Sequence, residues 1–159
     1  MDSAEESLVR QVHEVFKERG LFLSVAESCT GGLLAHLITQ MPGASYFFLA
    51  GIVAYSSAAK MKLLGIKSGP LTEYGTVSSQ IAMEMARGAR EATGSDYALS
   101  TTGNLGPSTL EGKPEGLIYV AVSGGQKEAH KELRLSLGRE GNKHQAAMEG
   151  LRLLLDTLK

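Results

Sequence analysis

Short apolar runs alternate with segments of helical periodicity along the first two thirds of the chain, and this order constrains the fold more than any other feature. The runs "LFLSVA" (21–26), "YFFLAGIVAYS" (46–56) and "YALSTTG" (97–103) are short, apolar or β-branched, and bounded by small residues, as buried strands are. Leu8, Val12, Val15 and Phe16 recur at helical intervals behind Ser3 and Glu6, which have capping-box spacing, so a helix is predicted from about Ala4 to Arg19 with Gly20 as its C-cap. Further helices are predicted for "GGLLAHLITQM", closed by Pro42-Gly43, and for "SSAAKMKLLG", capped by Ser56 or Ser57. Another is capped by Ser78 or Ser79, carries Ile81, Met85 and Ala89, and ends near Gly94. "IKSGPLTEYGT" and "GNLGPSTLEGKPEG" read as loops. "LIYVAV", "SGGQ" and "KEAHKELRLS" read as a hairpin, and a last helix is predicted from about Asn142, with Met148, Leu151, Leu155 and Leu158 as its stripe. Parallel strands joined by helices and then a hairpin make a layered α/β/α fold with a mixed sheet.

At 159 residues the chain fits one domain, and no repeat or linker divides it, so a single domain over 1–159 without a separate N-terminal domain is expected. Its 16 basic and 17 acidic residues nearly cancel, which argues against direct nucleic-acid binding but leaves room for a small anionic ligand. The N-terminus is acidic with no signal-like core, and no apolar run reaches the ~18 residues that span a bilayer. A cytoplasmic protein with no membrane partner is expected, and the single cysteine, Cys29, excludes an internal disulfide.

Ligands of α/β sheets gather at the carboxyl ends of parallel strands. Here those ends carry Glu27-Ser28-Cys29-Thr30, Tyr55-Ser56 and Thr101-Thr102-Gly103. The turn Ser28–Gly32 opens a helix, where free amides and the helix dipole favour an anion; capping and close packing explain the same residues as well. It is no Walker loop, because Leu33 follows the last glycine. Cys29 reads as a small buried residue sooner than a nucleophile. His13, His36, His130 and His144 are scattered without zinc-ligand spacing, so no metal site is expected. Lys60 lies one turn into a helix after Tyr55, and a desolvated lysine there could serve as a general base for a serine. Spacing alone leaves open whether the fold brings that lysine to Ser45 or leaves Ser45 a turn-capping serine, and whether Arg139 grips an anion or is solvated.

Taken together, "AESCTGG" (26–32), "PGAS" (42–45), "GIVAYSSAAKMKLLG" (51–65), "YGTVS" (74–78), "TTGNLGP" (101–107), "KPEGLIYVAV" (113–122) and Arg139 resemble the CinA family, in its C-terminal, nicotinamide-nucleotide deamidase domain. The resemblance covers nearly the whole chain in order. It implies the CinA C-terminal fold, hydrolysis of the carboxamide of nicotinamide mononucleotide to nicotinic acid mononucleotide and ammonia in pyridine nucleotide salvage, no cofactor, and a homo-oligomer. Carried over by position, Ser45 would be the nucleophile and Lys60 its base, with Tyr55 and Ser28 beside them and Ser28 as the other candidate nucleophile. Thr30, Gly31, Gly32, Thr102, Gly103 and Arg139 would hold the ribose phosphate. The chain departs from the family pattern at Ser57, Ala58, Asn104, Leu105, Ser108–Gly112, Leu137 and Gly138, all in segments near the implied pocket. The alternative is a nucleotide-binding or regulatory module that does not turn its ligand over.

Overall fold

The computed structural model describes all 159 residues. Six helices, α1 (Ser3–Arg19), α2 (Leu33–Gln40), α3 (Ser57–Leu64), α4 (Ser68–Tyr74), α5 (Ser79–Thr93) and α6 (Gly138–Leu158), enclose five strands. The strands are β1 (Leu23–Glu27), β2 (Phe48–Val53), β3 (Tyr97–Gly103), β4 (Leu117–Gly124) and β5 (Lys127–Arg134). They form one sheet in the order β2-β1-β3-β4-β5. β1 pairs in parallel with β2 and β3, while β4 pairs antiparallel with β3 and β5. This is the expected layered α/β/α fold with a mixed sheet. No helix is long and apolar enough to cross a membrane.

The two faces of the sheet follow from strand alternation. Leu23, Val25, Leu99 and Val122 face a core shared with Val12 and Phe16 of α1, Leu34 and Ile38 of α2, and Leu151 and Leu154 of α6. Ala26 and Ala98, one residue out of step, face Leu64 of α3 and Ile81, Met85 and Ala89 of α5. The helices on that second face sit close. A Cβ on Gly88 would lie 2.1 Å from the Leu64 carbonyl, so only glycine lets α5 approach α3 this way.

Three details differ from the sequence expectation. The capping box of α1 uses Asp2 and Glu5, one residue earlier than Ser3 and Glu6, with reciprocal side-chain to backbone bonds of 2.8 Å. The segment 66–76 contains α4, a short helix with no buried residue, where a loop was expected. α6 starts at Gly138 instead of about Asn142, which puts Arg139 in its first turn. Asn142 is buried there and holds the turn: its Oδ1 accepts from the Leu137 amide at 3.0 Å and its Nδ2 donates to the Leu105 carbonyl at 3.0 Å.

Candidate active site

The carboxyl ends of β1 and β2 lie side by side, with Glu27 opposite Val53 and Thr101. Glu27 is fully buried and turns its carboxylate to the start of α2. It accepts from the Leu34 amide at 2.8 Å, the Ala35 amide at 3.1 Å and the Thr30 hydroxyl at 2.6 Å. An acid of the chain itself therefore occupies helix-start donors that the sequence offered to a ligand. Thr30 is likewise turned inward, its hydroxyl 2.7 Å from that of Thr101. Gly31 and Gly32, both with positive φ, complete the tight turn into α2. They sit beside Lys143 Nζ and Val53 and outside the pocket lining. Of the expected phosphate cradle at Thr30–Gly32, the Thr30 hydroxyl is thus turned inward as a structural pin, and the glycines form the turn.

With that turn fixed, Ser28 lies at the floor of a pocket of about 270 Å³. Its amide donates to the Thr101 carbonyl at 3.0 Å. Lys60 reaches it from the second turn of α3, a helix capped by the Ser56 hydroxyl on the Ala59 amide. The Lys60 side chain is only 1% exposed, and its Nζ donates to Ser28 Oγ at 2.9 Å, the Ala54 carbonyl at 3.0 Å and the Tyr55 carbonyl at 3.2 Å. Burial pulls its pKa down to about 8, against a smaller opposing field from the Glu111 carboxylate. At pH 7 roughly a tenth of such a lysine is neutral, about 200-fold more than for a solvated one. A neutral amine keeps two N–H groups, enough for the two carbonyls, and turns its lone pair to Ser28.

The rest of the lining comes from Tyr55, Thr76, Thr102, Gly103, the loop residues 104, 105 and 108–110, and Arg139. Tyr55 is exposed at the mouth, and Arg139 bridges to it, donating to the Gly106 carbonyl at 2.8 Å and to the Tyr55 hydroxyl at 3.4 Å. Thr102 donates to the Thr76 carbonyl at 2.7 Å. Of the residues named from sequence, Ser28, Tyr55, Lys60, Thr102, Gly103 and Arg139 come together here. Ser45 does not. It is exposed in a single 3-10 turn (Ala44–Tyr46) ahead of β2, while Tyr55 follows the other end of that strand. The six-residue strand between them spans about 20 Å, so the pairing of Ser45 with Lys60 is corrected to Ser28 with Lys60.

Cys29 lines the same pocket but is buried, and burial pushes its thiol up to about 12, against the hydroxyl of Thr101. It is no thiolate nucleophile at neutral pH. No group of His, Cys, Asp and Glu side chains has the arrangement of a metal site. A larger cavity of about 540 Å³ lies beside α1 and the end of α2, lined by Arg10, His13 and Lys17 among others, but it holds no nucleophile with a base. Sequence reasoning named Glu27 at the end of the first strand but missed its role, whose signal was an acid closing an apolar strand directly before a Ser-Cys-Thr-Gly-Gly turn. It also missed the inward role of Asn104 and Leu105. Both are buried, and Asn104 ties its own loop by accepting from the Leu110 amide at 3.0 Å and donating to the Leu110 and Lys113 carbonyls at 3.2 Å.

Both the sequence and the fold match one family. The CinA C-terminal domain family matches residues 5–158. A CinA-like protein of Kosmotoga olearia is 44% identical over 149 residues, 92% of this chain and 36% of that protein. The chain spans about a third of the length of such relatives. The crystal structure of a competence/damage inducible protein from Agrobacterium tumefaciens is 34% identical with a TM-score of 0.94, covering 98% of this chain and 96% of that one. A CinA superfamily protein from Escherichia coli is 30% identical, also at 0.94, over 100% of this chain and 94% of the other. The chain belongs to the CinA C-terminal domain family.

Proposed function

We propose that the chain is an amidohydrolase that removes ammonia from the carboxamide of nicotinamide mononucleotide, with Ser28 as nucleophile and Lys60 as its base. The observation that carries this reading is the buried Lys60 Nζ held 2.9 Å from Ser28 Oγ at the floor of an open pocket. A serine hydroxyl is a weak nucleophile until a base takes its proton, and a lysine serves when burial has made it partly neutral. One chain supplies both groups.

The steps follow from the contacts. Neutral Lys60 accepts the Ser28 proton as Oγ attacks the carboxamide carbon. The Cys29 amide, next in the chain and without a backbone acceptor, would donate to the oxyanion. The ammonium then returns its proton to the amide nitrogen, the C–N bond breaks, and ammonia leaves a Ser28 ester. Water activated by the again neutral Lys60 hydrolyses that ester, releasing the acid and free serine. Arg139 at the mouth is the cation for the substrate's phosphate, exchanging its bond to the Gly106 carbonyl for a two-point grip. Tyr55 lies beside it and can face the cationic pyridinium ring.

The test is ammonia release from nicotinamide mononucleotide by the purified chain, beside Lys60→Ala and Cys29→Ala. Release by wild type and Cys29→Ala, lost in Lys60→Ala, supports the reading. Tight binding of the nucleotide without release by the folded wild type would favour the binding-module alternative instead.

A further inference from the structure

Much of the pocket wall belongs to no helix or strand. Thr76 lies in the connection between α4 and α5, and Asn104, Leu105 and Leu110 lie in the loop from β3 to β4. Two such segments would ordinarily be the softest part of a site. Here one carboxylate joins them. Glu111 accepts from the Thr76 amide at 2.7 Å, the Thr76 hydroxyl at 3.1 Å and the Val77 amide at 3.0 Å. Lys113, two residues on, donates to the Tyr74 carbonyl at 2.9 Å, the Val77 carbonyl at 2.7 Å and Glu111 itself at 3.3 Å.

We propose that Glu111 and Lys113 are positioning residues for this pocket, clasping the β3–β4 loop to the α4–α5 connection so that the wall around Ser28 and Lys60 has one shape before a substrate arrives. The proposal rests on the reading of this pocket as the reaction site. Three observations besides the clasp's own bonds support it. A Cβ on Gly75 would lie 2.5 Å from the Glu111 carboxylate, so glycine at 75 makes room for that acid. Glu111 holds a left-handed backbone, φ 63°, which a residue with a side chain adopts only when its surroundings fix it. The clasp also runs on into the lining, because the Thr76 carbonyl accepts from Thr102 at 2.7 Å.

Electrostatics separate this role from simple loop anchoring. Burial pushes the Glu111 carboxyl up, but the Val77 and Thr76 amides and Lys113 hold it below its usual range, so it is ionised at neutral pH. Its charge in turn opposes the burial that depresses Lys60. Removing the charge must therefore lower the Lys60 titration further, whatever the substrate is.

The experiment uses the full chain as wild type, Glu111→Gln, Glu111→Ala and Lys113→Met. Amide hydrogen exchange reads the wall, and NMR of ε-¹³C-labelled lysine reads Lys60. In Glu111→Ala the Thr76 and Val77 amides should exchange about tenfold faster while β1 and β3 keep their protection, with Glu111→Gln, which retains one acceptor oxygen, in between. Lys113→Met should loosen the same amides. Both Glu111 variants should move the Lys60 midpoint to lower pH. With nicotinamide mononucleotide at pH 9, Glu111→Ala should raise KM about tenfold and leave kcat within about threefold. Unchanged exchange at Thr76 and Val77, acceleration spread evenly over the whole chain, or an unmoved Lys60 midpoint would overturn the proposal. Absence of ammonia release by wild type would count against the reaction alone, since exchange and the lysine titration decide the clasp without it.

Discussion

Burying Lys60 should leave a signature in stability that appears only above pH 8. Its pKa is about 8 in the folded chain and about 10.4 when solvated in the unfolded one, so between these values the unfolded state binds the extra proton. Stability rises with pH wherever the unfolded state holds more protons. The contribution is therefore constant below pH 8, climbs by about 1.4 kcal/mol per pH unit above it, and levels off beyond pH 10.5, a total of about 3 kcal/mol. Lys60→Met keeps the chain length and loses the titration. Other lysines and tyrosines titrate in both proteins, so the difference between wild type and variant isolates this one group. Urea unfolding of the pair from pH 7 to pH 10.5 should show wild type gaining about 3 kcal/mol on Lys60→Met, nearly all of it above pH 8. A difference that stays flat across that range would mean the ammonium is not desolvated, and the reasoning about its basicity would fall with it.

Three further outcomes follow from the same geometry. The ratio kcat/KM for ammonia release should fall about tenfold per pH unit below an inflection near pH 8, because Lys60 must be neutral to accept a proton; a level profile from pH 6 to pH 9 would exclude it as the base. Glu27→Ala removes the acceptor of two α2 amides and the Thr30 hydroxyl, and thermal melting should show a loss on the order of 3 kcal/mol, whereas a loss under about 1 kcal/mol would deny the carboxylate its capping role. If Tyr55 faces the pyridinium ring, Tyr55→Phe should leave KM nearly unchanged while Tyr55→Leu raises it by the ~0.5–2 kcal/mol of a cation–π contact; equal KM in both would remove that contact.

The parts of the fold carried by hydrophobic period were legible in the sequence. β1, β2 and β3 are apolar runs, and α1 and α5 have clear stripes between recognisable caps. α4 was not legible, because Gly69 and Pro70 read as loop residues and the helix buries no stripe. The start of α6 was hidden in the same way by Gly138 and Gly141, so Arg139 read as a linker residue. For the site, Ser28, Tyr55, Lys60, Thr102, Gly103 and Arg139 were named by strand ends and by family pattern, and they do converge. Ser45 was carried over by position alone. The sequence held a warning, since Ser45 and Tyr55 flank one strand and its length keeps them apart. The roles of Glu27 and Glu111 went unread because, beside the nearby Thr30 and Lys113 side chains, each binds backbone amides 7 and 34 residues away or more, and no side-chain motif marks such a bond.

The pairing of Ser28 with Lys60 is the central claim, and the most direct measurement of it compares Ser28→Ala with Ser45→Ala in ammonia release from nicotinamide mononucleotide, after both variants are shown to fold. The geometry predicts that Ser28→Ala is inactive and that Ser45→Ala keeps most of the wild-type rate. Release that survives in Ser28→Ala and disappears in Ser45→Ala would contradict it.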